Sequence, residues 1–356
     1  MDWFGGLLPV IFQFIHETLA RIRLAPLSST PQREDAFMRV REVAYSLMQG
    51  QQWPQSVNEL DKALALVPRD RLDLQAELHF QKAYALEQMR QLQRAHAEYQ
   101  ACRAAEEGHR QLRYAPLAAY RQAQVLIQLG HWKEAEETLE CCITQAQRIA
   151  SPKLHLNALR MLLGLYQAMR RYPEAAQSVQ EALRVARKQR DENAEAFLLD
   201  SAGDIALALG RAEDALHNYE LSLDVFRRLG HARAELMVQQ DIAKLYLARG
   251  EWDKASAWLR VCLEEEVRSE DLASQAQISY EMACLLISND RLEEATDLLL
   301  RSLGLFRRVQ DKISVDQVGR TLMGLGISIQ RRATAGRLTF RDIERGSKLK
   351  KEGEGS

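Results

Sequence analysis

The chain has 356 residues, with 48 Lys and Arg against 49 Asp and Glu, for a formal net charge of −1. Near-neutrality excludes a global field that would draw in nucleic acid or an anionic membrane surface. Gly and Pro are scarce, at 18 and 8, while Ala, Leu, Gln, Glu and Arg dominate, which predicts a nearly all-helical protein.

Residues 1–27 open the chain with the uncharged run Trp3 to Ile15. Trp3, Phe4, Leu8, Ile11, Phe12 and Ile15 form the apolar side of a predicted helix, and the charged residues Glu17, Arg21 and Arg23 follow. Thirteen uncharged residues fall short of the roughly 20 needed to cross a bilayer. No basic residue precedes the run and no clear cleavage site follows it, so a secretory signal is not expected. Three roles stay open for this helix: a cap on the first repeat, an attachment to a membrane surface or partner, or a segment folded back on the chain. Residues 28–33, rich in Pro, Ser and Thr, form a linker.

From residue 34 the sequence repeats. An apolar residue followed three positions later by a small one recurs as Trp53/Ser56, Leu92/Ala95, Trp132/Ala135, Tyr172/Ala175, Ala212/Ala215, Trp252/Ala255 and Leu292/Ala295, spaced by 39 and then five times by 40 residues. Such a period marks a solenoid in which each unit covers its neighbour's apolar face. Twelve residues before each small anchor stands a second small residue: Ala44, Ala83, Ala123, Gly203, Ala243 and Ala283. The fourth unit departs, with Leu163 there. Each unit therefore predicts two helices joined by a turn, and Gly130, Gly210 and Gly250 suit the left-handed cap at that turn. Cys102, Cys142 and Cys262 share a register with Ala63, Ala182, Ser222 and Ser302, so a small buried side chain is expected there, not redox or metal chemistry. An eighth first-type helix at about residues 314–332, with Gln317 and Arg320 among its apolar residues, would cap the last unit. Residues 334–356 lose the periodicity and form a polar tail expected to be disordered.

The stretches QLGHWKEAEETLECC, ALGRAEDALHNYELSL and ARGEWDKASAWLRVCL resemble tetratricopeptide repeats. The resemblance covers seven units, residues 34–313, and extends the superhelix to residue 333 with its cap. It departs from the usual 34-residue period and lacks the closing proline, which makes it similar to the 40-residue subclass of cell-polarity adaptors and bacterial regulators. The resemblance implies an all-α, right-handed α-solenoid of seven helix pairs plus a C-terminal capping helix. It also implies that first helices line a concave groove through residues six and three before, and one and four after, their small position. In this chain those include Arg41, Tyr45, Phe80, Tyr84, Tyr120, Gln124, Asn157, Arg160, Asp200, Asp204, Gln240, Lys244 and Tyr280.

Chemistry-bearing motifs are missing from the sequence. It holds no Gly-rich phosphate loop, no His-x-x-x-His pair around a glutamate and no Gly-x-Ser-x-Gly. No enzyme activity, metal or cofactor is therefore expected. The expected function is a non-enzymatic adaptor or scaffold that binds a protein or peptide segment in the groove. The alternatives are a ligand-sensing regulator and a self-assembling structural protein joined through residues 1–27. The expected location is cytoplasmic, with peripheral membrane or homo-oligomer contact through the N-terminal helix as an option and no nucleic-acid partner.

Overall fold

The computed structural model describes residues 31–68, 70–107, 112–268 and 272–333. The predicted N-terminal attachment residues, Trp3 to Ile15, and the polar tail lie outside them. Among the described residues there are fifteen helices and no strand. In chain order they are α1 (Pro31–Gln49), α2 (Trp53–Leu66), α3 (Leu72–Gln88), α4 (Leu92–Glu106), α5 (Ala115–Leu129), α6 (Trp132–Arg148) and α7 (Pro152–Ala168). Then come α8 (Tyr172–Gln189), α9 (Glu192–Ala208), α10 (Ala212–Leu229), α11 (Ala232–Ala248), α12 (Trp252–Arg268), α13 (Leu272–Ser288), α14 (Leu292–Arg308) and α15 (Lys312–Ala333). The chain divides into two compact units after Arg171, so α1–α7 belong to the first and α8–α15 to the second.

The predicted anchors are the best-buried residues in both units. Ser56, Ala95, Ala135, Ala175, Ala215, Ala255 and Ala295 are all 0% exposed, as are Ala44, Ala83, Ala123, Ala243 and Ala283 on the first helices. With no side chain beyond Cβ or Oγ, two helices approach closely, and the space beside them is filled by large neighbours such as Leu60, Tyr99, Leu139, Tyr219 and Leu299.

The turns show a finer period than the one expected. Left-handed backbone occurs at Gln51, Arg90, Gly130, Ala150, Arg170, Arg190, Gly210, Gly230, Gly250, Asp290 and Gln310. From Gly130 to Gly250 that is one such residue every 20, so the turn inside a repeat and the turn between repeats close alike. At Gly130 the amide donates to Ile127 O (3.1 Å) and the next amide, of His131, reaches back to Leu126 O (2.9 Å). Arg190 and Asp191 reproduce the pattern on Arg187 O and Ala186 O, both at 3.0 Å. These bonds satisfy the carbonyls a helix end leaves free.

The small position shared by cysteine and serine has a polar purpose as well. Ser222 Oγ donates to Ala196 O (2.8 Å), Ser302 Oγ to Ala276 O (2.7 Å) and Cys142 Sγ to Pro116 O (3.2 Å), each carbonyl 26 residues earlier in the first helix of the same repeat. Burial pushes the Cys142 thiol up to about 12, so it stays protonated and donates. The irregular loop before α5 has its own device. Buried Glu106 accepts from the amides of Arg113 (2.9 Å), Tyr114 (3.0 Å) and Ala115 (2.8 Å), which leads the chain into the helix.

The expected capping helix is present as α15, with Val318 and Leu325 buried beneath it and Gln317 and Arg320 exposed. No described helix is long and apolar enough to cross a membrane.

Two glycines inside helices should respond oppositely to alanine. At Gly203 an added Cβ would collide with the Tyr219 ring, whereas at Gly164 it would meet nothing within 4 Å. Gly203→Ala should cost about 1–3 kcal/mol by overpacking, and Gly164→Ala should gain about 0.5–1 kcal/mol of helix propensity. Urea unfolding followed by circular dichroism measures both. Equal effects would contradict the Gly203–Tyr219 contact.

Candidate binding face on the first helices

In the first unit the expected face is a buried polar network backed by aromatic rings. Arg41 on α1 donates Nε to Glu77 Oε1 on α3 at 2.9 Å, and its Nη2 also bonds that oxygen. Gln81 Nε2 bonds the Tyr45 hydroxyl and Glu77 Oε1 (3.2 Å). Burial opposes the charge of Arg41, but Glu77 outweighs it and raises the guanidinium above its ordinary value. Tyr45 and Tyr114 are both raised, first by burial and then by the Glu77 charge. Phe80 packs edge-on to Tyr99 and tilted against Tyr114, with ring centroids 5.8 Å apart in both cases. Tyr84 sits edge-on to Trp53 and under the Arg121 guanidinium, which lies 5.7 Å from its ring.

Of the thirteen expected groove residues, Arg41, Phe80, Tyr84, Tyr120 and Gln240 are buried. Tyr45, Gln124, Asn157, Arg160, Asp200, Lys244 and Tyr280 are half-buried, and Asp204 is exposed. Arg121 Nη1 donates to Gln124 Oε1 at 3.2 Å. Burial raises Tyr120, while the charges of Arg121 and Arg160 act to lower it. Glu77 was not named among the sequence candidates although it stands six residues before Ala83, a place the groove rule covers. The available signal was that register position alone.

The corresponding face of the second unit is acidic. Asp200 and Asp204 lie one turn apart on α9, and Asp241 and Lys244 lie on α11. Lys244 Nζ pairs with Asp241 at 2.7 Å, and the Tyr219 hydroxyl donates to Asp204 at 2.7 Å. Asp200 is left over: its Oδ1 is buried and meets no hydrogen-bond partner. Desolvation, then the Asp241 and Asp204 charges, push Asp200 up to about 7, with Lys244 only partly offsetting them. Asp204, though exposed as a residue, is raised too, by desolvation of its carboxyl group and against its bond from Tyr219. Further along, Tyr280 accepts from Gln317 Nε2 (3.2 Å) and lies 3.3 Å from Thr321 Oγ1, so α15 meets this row through hydrogen bonds.

A separate cleft of about 210 Å³ opens between α8, α9 and α10, lined by Val179, Ile205, Leu209, Arg211, Asp214 and His217 among others. It contains none of the thirteen groove residues. Among the described residues, no three His, Cys, Asp or Glu are placed to hold a metal.

Two predictions follow from the contrast between the units. Arg41→Ala would strand the buried Glu77 charge and should cost about 3–5 kcal/mol, whereas Arg41→Met combined with Glu77→Leu should be close to neutral. Chemical unfolding of both variants reads the difference, and a mild single variant would contradict the buried pair. In the second unit, raised aspartate pKa values mean that the folded state holds protons which the unfolded chain has already lost. That stabilisation is complete below about pH 4 and vanishes as pH rises through about 7. Asp200→Asn should therefore flatten the fall in melting temperature between pH 5 and pH 8, adding about 2 kcal/mol at pH 8 after allowance for partial exposure. An unchanged pH profile would contradict the desolvated carboxylate.

A family model described as tetratricopeptide repeat matches residues 114–188 and 194–264. No curated protein matches the chain. Among solved structures, the apo form of RapI is 13% identical, with 77% of this chain and 99% of that one covered and a TM-score of 0.48. BtubC from P. vanneervenii is 17% identical over 68% of this chain and 93% of its own, with a TM-score of 0.49. A tetratricopeptide repeat protein from Parabacteroides merdae is 17% identical over 80% and 97%, again with a TM-score of 0.49. The helix pairs, the 40-residue register and the family match together show tetratricopeptide repeats over residues 114–188 and 194–264.

Proposed function

We propose that this protein is a non-enzymatic adaptor that holds a segment of a partner protein against the first-helix faces of its repeats. The observation that carries this reading is the division of labour along each repeat. Small anchors and large apolar residues are consumed by packing, whereas the first helices keep Tyr45, Gln124, Asn157, Arg160, Asp200, Asp204, Lys244 and Tyr280 at least partly accessible at regular register positions. Tyr and Arg are enriched among residues that dominate interface energies, because they bury area while keeping a polar contact. A scaffold already ordered by packing loses little conformational freedom when a short segment docks, so modest contact suffices.

Asn157 and Arg160 test the reading in the first unit. Both are half-buried on α7, and their side chains can hydrogen-bond a peptide backbone or a carboxylate. Replacing both by alanine should weaken a selected partner by about tenfold or more, as expected for loss of charge-assisted hydrogen bonds, and should leave the helical circular dichroism unchanged. Fluorescence polarisation of a labelled partner segment gives the affinity. Unchanged binding by the folded double variant would remove this pair from the interface.

A further inference from the structure

The second unit carries an imbalance that its own side chains do not resolve. Three carboxylates, Asp200, Asp204 and Asp241, share the face of α9 and α11 with a single cation, Lys244. That cation is paired to Asp241, and Asp204 receives the Tyr219 hydroxyl. Asp200 keeps a buried oxygen without a partner. Gln240 stands 40 residues after Asp200, at the same register one repeat on. It is only 8% exposed, and its amide nitrogen also meets no acceptor. Buried polar atoms are rarely left unsatisfied, because each costs desolvation without return. Two of them in one register row, one needing a donor and one needing an acceptor, describe the complement of a missing group.

We infer that the face of α9 and α11 binds a cationic residue of the docked segment, an arginine or lysine, whose charged head pairs with Asp200 and whose backbone carbonyl accepts from Gln240. The inference rests on the adaptor reading above and adds the chemistry of the partner. A guanidinium or ammonium supplies the donors that the Asp200 oxygen lacks and offsets the excess negative charge of the row. An acidic or purely apolar segment would leave Asp200 desolvated beside two like charges. The groups that face Asp200 are Asp204 on its own helix and Asp241 and Lys244 on α11; Tyr219 on α10 and Glu281 on α13 lie one step further, bonded to Asp204 and acting on Lys244.

The test is to pan a phage-displayed library of random dodecamers on the full chain. The selected peptides are then synthesised, and their binding is measured to the wild type, to Asp200→Asn and to Asp224→Asn. The last removes an exposed carboxylate from α10 and controls for net charge. Hydrogen exchange of the peptide-bound chain locates the bound segment. The expected result is enrichment of Arg or Lys, protection of α9 and α11, and about tenfold weaker binding to Asp200→Asn alone. Affinity should also rise roughly tenfold from pH 6 to pH 8, since an acid with a pKa of about 7 goes from about a tenth to about nine-tenths ionised. Peptides that protect the first helices without cationic enrichment, or that ignore Asp200→Asn, overturn this inference and leave the adaptor reading standing. Peptides that protect only second helices, or a library that yields no binder, overturn both.

Discussion

Everything in this fold depends on how closely two helices can approach. Ser56 and the alanines that repeat it, and the alanines twelve residues before them, are shut off from solvent, and each leaves room for only one kind of neighbour. Because the contact is made of Cβ atoms and backbone, it is short-range and steep: a single extra methyl at Gly203 collides with Tyr219. Close packing at a fixed register holds the turns to a common spacing and geometry, although the helices run from 14 residues in α2 to 22 in α15. The spacing of left-handed residues every 20 positions is the visible consequence, tolerated even at Arg90, Arg170 and Arg190, where a side chain must adopt a conformation that glycine takes more easily.

Once the backbone is set in this way, polar groups acquire defined duties. Ser222, Ser302 and Cys142 return a hydrogen bond to the first helix of their own repeat. Glu106 closes an irregular loop. Arg41 and Glu77 link the first helices of successive repeats, where a misplaced register would leave two buried charges unpaired. Asp200 and Gln240 are among the buried groups left without a hydrogen-bond partner, and they share one register position in successive repeats. A protein selected for stability alone would replace the Asp200 carboxylate, which is held partly protonated by burial and by Asp241 and Asp204. Under the reading proposed here, its presence marks the place where stability is given up for recognition.

The repeat itself was legible in the sequence because packing imposes residue size at a fixed spacing, and size is visible in a single chain. The anchors, the small first-helix position, the cysteine register and the capping helix all follow from that. What escaped notice depends on partners rather than on size. The serine and cysteine donors look like small residues until the carbonyl 26 positions earlier is placed beside them. Arg41 looks like an exposed cation on a helix until Glu77, 36 residues on, is folded against it. The shape of the turn between repeats is harder to read because, among the described residues, only Gly230 announces it, while Ala150, Arg190 and Gln310 do the same work without glycine. The acidic character of Asp200 and Asp204 was plain, but its consequence required knowing that Lys244 is already engaged by Asp241.

The most direct test of the account is to delete residues from the second unit in and out of phase. Removing residues 192–231, one full period, joins Asp191 to Ala232 and presents every remaining small anchor with an equivalent neighbour. Removing residues 192–221 breaks the register. Circular dichroism per residue and thermal unfolding should be preserved in the first deletion and lost in the second. If both deletions fold equally well, or both fail, the packing register proposed here does not hold the protein together.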